Sequence, residues 1–127
     1  MSRSVITLHP WWALAVLTAG KRCENRTWLP RLEPGDWLYI HAGSRRPSRA
    51  DRDLLASCCG PAGVDVGPLL EARGGAVIGR ARYLGSDTAQ LTQWDLPGWL
   101  HWRLGDVEAI EPIPCSGQLG IWRLPDA

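Results

Sequence analysis

Apolar positions in this chain follow two rhythms. From Ser4 to Leu8 they alternate with polar ones in a β-branched run, the period of a strand with one buried face. From Pro10 to Ala19 (PWWALAVLTA) they run almost unbroken, which predicts a helix buried on most sides. Pro10 suits the first helical position, where its missing N–H costs nothing, and Gly20 stands where a left-handed residue ends a helix. Cys23–Trp28 and Gly35–Ala42 predict two more strands, the second entered through the turn signal Glu33-Pro34-Gly35. In GDWLYIHA, Leu38, Ile40 and Ala42 share one face, and Trp37, Tyr39 and His41 share the other.

Ser48, with Asp51 three residues later, predicts the cap of a helix running to about Ser57. Gly60–Gly75 reads as loop with one helical turn at Leu69–Ala72. Gly75–Leu84 predicts a strand with Val77, Gly79, Ala81 and Tyr83 on one face and Ile78, Arg80 and Arg82 on the other. Gly85–Gly98 is a long polar connection. Trp99–Leu104 and Val107–Ile113 read as strands separated by a tight Gly105-Asp106 turn, and Gly120–Leu124 as a closing strand. Leu100, Trp102 and Leu104 point to the core, which leaves Trp99, His101 and Arg103 on the more exposed face. The expected class is α+β, mainly β: a small closed or nearly closed β-barrel of about six strands, with two or three short helices at its rim. Closure removes edge strands from solvent. The later strands follow one another without crossover helices, which argues against a doubly wound sheet.

Composition narrows the class. A chain of 127 residues is expected to form one domain, 1–127, with a core that needs no metal or disulfide staple. A formal net charge of +1 argues against duplex binding by overall charge but leaves room for a local basic patch. The run MSRSVITLH is not a secretory signal, and Trp11–Ala19 is too short to span a bilayer, so a cytoplasmic protein with no membrane partner is expected. Cys58 and Cys59 are vicinal, Cys23 and Cys115 lie far off, and no C-x-x-C occurs, so free thiols and no metal site are expected. Eight tryptophans and no phenylalanine, with a single lysine among 14 basic residues, fit a GC-rich coding bias. Exposed indoles beside arginines also suit base stacking.

Candidate chemistry gathers after Gly20. Lys21, the only lysine, sits where helix becomes strand, and Glu24, Arg26 and Trp28 share a strand face. Two readings fit: a polar cleft in which a carboxylate between two cations orients a ligand or moves a proton, or a surface Glu24–Arg26 ion pair with Lys21 favoured by the helix dipole. His41 ends an apolar strand, either as a packed structural residue or, if the fold brings it to Glu24, as an ionisable partner. Arg45 and Arg46, with Arg49, form a basic loop that contacts phosphate or is merely solvated. No P-loop, G-x-G-x-x-G, G-x-S-x-G or H-E-x-x-H is present, so no cofactor is expected.

The stretch PWWALAVLTAGKRCENRTW resembles the signature of the ASCH domain family, a Pro-aromatic helix followed by G-x-K-x-x-E-x-R, here Gly20, Lys21, Glu24 and Arg26. GDWLYIHAG resembles the family's strand ending in histidine and small residues; GAVIGRARYL and the run from HWRL to GIWRLP resemble its C-terminal strands. The resemblance implies a PUA-like β-barrel with a cleft floored by the first motif. It further implies a domain that binds RNA, another single-stranded nucleic acid or a modified nucleoside through Lys21, Glu24, Arg26, His41, Arg45 and Arg46. The alternative it implies is a small hydrolase, a ribonuclease or an N4-acetylcytidine-like amidohydrolase, with Lys21 and Glu24 as its catalytic residues. That last branch uses a lysine, a threonine and a glutamate. Lys21 matches the lysine, and Glu24 stands where the threonine belongs.

Overall fold

The structure is a computed structural model that describes residues 3–124, so the two ends of the 1–127 span lie outside it. Its elements are β1 (Arg3–Leu8), α1 (Pro10–Thr18), β2 (Cys23–Arg26), β3 (Trp37–Ala42), α2 (Arg49–Ala62), α3 (Val66–Leu70), β4 (Ala76–Asp87), β5 (Leu100–Pro114) and β6 (Ile121–Leu124). The strands form one six-stranded sheet in the order β2-β5-β4-β3-β1-β6. β1 and β3 pair in parallel, Thr7 beside His41, and the other neighbours are antiparallel.

The unbroken apolar run of α1 has a direct cause: both sides of the helix are covered. Ala13 and Val16 pack on the sheet with Ile6, Leu38, Ile40, Tyr83 and Trp102. Trp11 and Ala15 pack with Leu55, Cys58, Cys59, Leu69 and Trp94 beneath α2 and α3. So α1 is central rather than at a rim. Pro10 takes its first position, and Gly20, with φ +72, turns the chain out of it. The face assignments hold through the middle of β3 and β4, where Leu38, Ile40, Ala81 and Tyr83 are core and Arg80 and Arg82 look outward. Bulges at Ile40/His41 and Val77/Gly79 break the alternation. His41 is buried, and Val77 packs apart from Ala81 and Tyr83, with Val5, Tyr39 and Trp122.

Several expectations are corrected. The sheet does not close into a barrel, because its outer strands β2 and β6 have four residues each and pair only with β5 and β1. Gly105-Asp106 is no turn. β5 runs through it as one bent strand, with Asp106 at φ 46 and a shift of register against β4 between Arg80 and Arg82, a bulge where a hairpin was expected. Ser48 and Asp51 make the expected capping box, but α2 continues past Ser57 because Cys58 and Cys59 extend its buried stripe, and it ends at Gly63 with φ 66. The helical turn after it is α3, capped by Asp65, so it starts at Val66 and shares only Leu69 and Leu70 with the expected Leu69–Ala72.

Candidate ligand cleft

The curved sheet brings the end of β2 toward the end of β1, and a cleft of about 1050 Å³ opens between them. Its floor is built by the exit from α1. After Gly20 the Lys21 N–H bonds back to the Ala15 carbonyl at 3.2 Å, which drives the lysine side chain inward. Lys21 is 2% exposed. Its ammonium donates to the Cys23 carbonyl and to Glu24 Oε1 at 3.3 Å, and it lies 5.4 Å from the Trp12 ring centroid. Glu24, 7% exposed, accepts from Arg26 Nε at 2.8 Å through its other oxygen. Arg26 Nη2 donates to the Thr7 carbonyl at 3.3 Å and so joins the two ends of the sheet. Burial decides between the two sequence readings: this is an internal ion network, not a surface pair. A buried ammonium without its carboxylate costs several kcal/mol.

Five of the six expected ligand-binding residues line this cleft: Lys21, Glu24, Arg26, His41 and Arg45. Arg46 is exposed and does not line it, so the Arg45–Arg46 pair is split. Arg45 bonds Asp51 at 3.0 Å, which ties the cleft rim to the cap of α2. His41 does not meet Glu24; its Nε2 donates to the Cys115 carbonyl at 2.8 Å, and Nδ1 is buried with no hydrogen-bond partner among the described residues. Among the cleft-lining residues described, Glu24 is the only carboxylate, against the cations Lys21, Arg26 and Arg45. Trp12 and Trp99 supply aromatic wall, and Trp99 is 41% exposed. His9, stacked on Trp11 at 4.6 Å, also lines the cleft. Burial, then the charge of Arg45, holds its pKa below the ordinary histidine value.

Behind the Trp99 wall lies a network that sequence reasoning missed. His101, expected on the exposed face with Trp99, is 0% exposed, because the β4–β5 connection folds back over it. Its Nδ1 meets Asn25 Oδ1 at 2.7 Å and its Nε2 meets Gln90 Oε1 at 3.1 Å. Asp95, also buried, takes Arg103 Nη1 through both oxygens at 2.8 and 2.9 Å, while Arg103 Nη2 reaches Asp87 at 2.7 Å. Burial raises the Asp95 pKa. The Leu91 N–H, Arg103 and Thr92 outweigh it and hold the carboxyl well below the usual range. The Thr92-x-x-Asp95 spacing, a side-chain turn signal, was the one clue to this fold-back.

Donor atoms of Cys23, Asp95 and His101 lie within 4.8 Å of one another, the geometry of a metal cluster. The chemistry does not suit a cation. Arg103 already neutralises Asp95, Asn25 occupies His101 Nδ1, and burial pushes the Cys23 thiol up to about 12. This is a hydrogen-bonded wall of the cleft.

Fold and cleft together define an α+β, mainly β domain with a polar site at the mouth of an open, curved sheet. No protein-family model and no curated protein matches the chain. Solved structures do. The crystal structure of one mutant of ZmASCH from Zymomonas mobilis superposes with TM-score 0.60 at 15% identity, covering 98% of this chain and 91% of that one. A second ZmASCH mutant gives 0.61 at 15% identity, covering 97% and 88%. The fold is ASCH-like.

Proposed function

We propose that this chain is a nucleic-acid-binding domain that takes one nucleotide of an RNA or another single strand into the cleft. The observation that supports this reading is the pairing of charge with aromatic wall: the cations Lys21, Arg26 and Arg45 against Glu24 and the rim carboxylate of Asp51, a surplus of positive charge, beside Trp12 and Trp99. An uncharged modified nucleoside leaves the surplus positive charge unneutralised. A nucleotide brings its own phosphate to Arg26 and Arg45 and its base to an indole face. At about 1050 Å³ the cleft matches the upper end of ligand pockets, on the order of 300–1,000 Å³, and has room for a nucleotide with part of its neighbour.

The hydrolase reading has less support. The Lys21 side chain points at Glu24, the Cys23 carbonyl and the Trp12 ring, which engages it within the ion network as a partner of the carboxylate. The test is a tryptophan-fluorescence titration with a single-stranded RNA at low and moderate salt. Affinity is expected to fall as salt rises, and Arg26→Ala to weaken binding about tenfold, the worth of one charge-assisted contact. No response to any oligonucleotide, or binding indifferent to salt, defeats the proposal.

A further inference from the structure

Two histidines line the cleft, and they are held differently. His41 is buried and bonded into the wall through the Cys115 carbonyl. His9 is half-buried, just before α1, with its ring stacked on the buried Trp11 at 4.6 Å and an interplanar angle of 19°. Stacking fixes the plane of the ring, and neither ring nitrogen is bonded to a described residue. The charged groups that act on it come from every side of this end of the cleft: Arg45 between β3 and α2, Asp51 on α2, and Glu24 and Arg26 on β2. Burial and then Arg45 disfavour the charged ring, so His9 is neutral at pH 7 in the free protein.

The charge of the cleft has a place for such a ring. Lys21 and Arg26 share Glu24, and Arg45 has Asp51, which leaves a surplus of one positive charge among these residues. A nucleotide within a strand brings a negative phosphate on each side. The first meets the surplus, and the second needs one more cation. Resting on the proposed function above, we infer that His9 is a phosphate-binding residue of the cleft: with Arg26 and Arg45 it holds the strand backbone, and it takes up a proton as the strand binds. The proton comes from solvent, and no bond of the ligand breaks. A permanent cation at this position would repel Arg45 in the free protein, whereas a histidine takes its charge only when the phosphate is there to share it. The sign follows from linkage. A phosphate oxygen on the ring favours the charged form, so affinity is highest at low pH, where the ring is already protonated. It falls as pH rises through the histidine range and levels off once the bound ring is also neutral.

The test is titration calorimetry with an all-uridine RNA that has no terminal phosphate, so that the strand keeps one charge throughout. Salt is held constant, and buffers of different ionisation enthalpy report the protons taken up. Wild-type affinity is expected to fall about tenfold from about pH 5.5 to pH 8, the effect of one neighbouring charge on a titrating ring, with net proton uptake near pH 7. His9→Asn removes the titrating group and places a good capping residue before α1, where the histidine makes no side-chain cap. His9→Phe keeps an aromatic ring on Trp11, and it supplies the answer if His9→Asn does not fold. Both variants should lose the proton uptake and bind with a flat pH profile, at the weaker affinity that wild type shows at high pH. A merely structural role for His9 lowers affinity at every pH and leaves the profile unchanged. Wild-type binding that is indifferent to pH overturns this inference and leaves the nucleic-acid reading standing. So does a pH profile or proton uptake that survives in both variants. Absence of binding at every pH removes the proposed function, and this role of His9 with it.

Discussion

Glu24→Ala isolates what the buried charge network does for the fold. The substitution leaves the Lys21 ammonium, 2% exposed, with only the Cys23 carbonyl and the Trp12 face, neither of which carries a full negative charge. Arg26 also loses a partner, but its side chain is 27% exposed and can turn to water. The lysine therefore dominates, and removing one member of a buried pair costs about 3–5 kcal/mol. Lys21→Met is the contrasting change. It exchanges the cation for an apolar chain of similar length, and Glu24 keeps Arg26 at 2.8 Å, so a loss of about 1–2 kcal/mol is expected from the missing hydrogen bonds. The double variant should be more stable than Glu24→Ala alone, since it no longer buries a lone charge. Urea denaturation at pH 7, followed by tryptophan fluorescence, measures all three. A Glu24→Ala variant within about 1 kcal/mol of wild type, or one more stable than Lys21→Met, refutes the reasoning.

Other outcomes follow from the core and the cleft wall. The Asp95 pKa is depressed in the fold, so its stabilisation is present above the unfolded value of about 4 and is lost as pH falls through the folded value. Asp95→Asn should lose about 3 kcal/mol at pH 7 and show a flatter acid limb in urea midpoints taken from pH 7 to 2; an unchanged limb contradicts the Arg103 pairing. Burial pushes Cys23 up to about 12 and raises Cys58 and Cys59, while Cys115 is half-buried, so alkylation of native protein at pH 8 should mark Cys115 first by mass spectrometry. Equally fast labelling of Cys23 removes the buried-thiol assignment. Gly74→Ala drives a methyl into the Gly43 carbonyl and to 2.8 Å from that of Ala42, both main chain. A loss of about 3 kcal/mol or more is expected in thermal unfolding, and a wild-type midpoint rules out the close approach.

What was legible in the sequence is what local physics decides. Pro10 and Gly20 bracket α1, Ser48 and Asp51 cap α2, and alternation assigns the faces of β3 and β4 up to their bulges at Ile40/His41 and Val77/Gly79; each needs only neighbours within a few residues. The errors lie where distant chain intervenes. Gly105-Asp106 reads the same in a hairpin as in a bulge, and only pairing with β4 makes it a bulge. His101 reads as exposed until the residues around Asp95 fold over it, an event fixed by Arg103 and Asn25. In the site, Lys21, Glu24 and Arg26 are three residues of one short segment, and so were visible. Thr7 and Trp99 come from β1 and from the connection before β5, and carry no motif.

The failure of the sheet to close and the presence of the cleft have one cause. Closure would pair the two edge strands, β2 and β6, through ladder hydrogen bonds, but here a side chain of β2 reaches past to the end of β1 instead. Lys21 donates to the Cys23 carbonyl, and Arg26 crosses the gap to the Thr7 carbonyl at 3.3 Å. Cations can hold two strand ends together and still leave charge facing the space between, which ladder hydrogen bonds cannot do. The same residues are thus structural and ligand-facing. Loss of binding in a Lys21 or Glu24 variant carries a change of stability with it. Arg26, which alone of the three reaches both the sheet end and solvent, is the position where the two effects separate most cleanly.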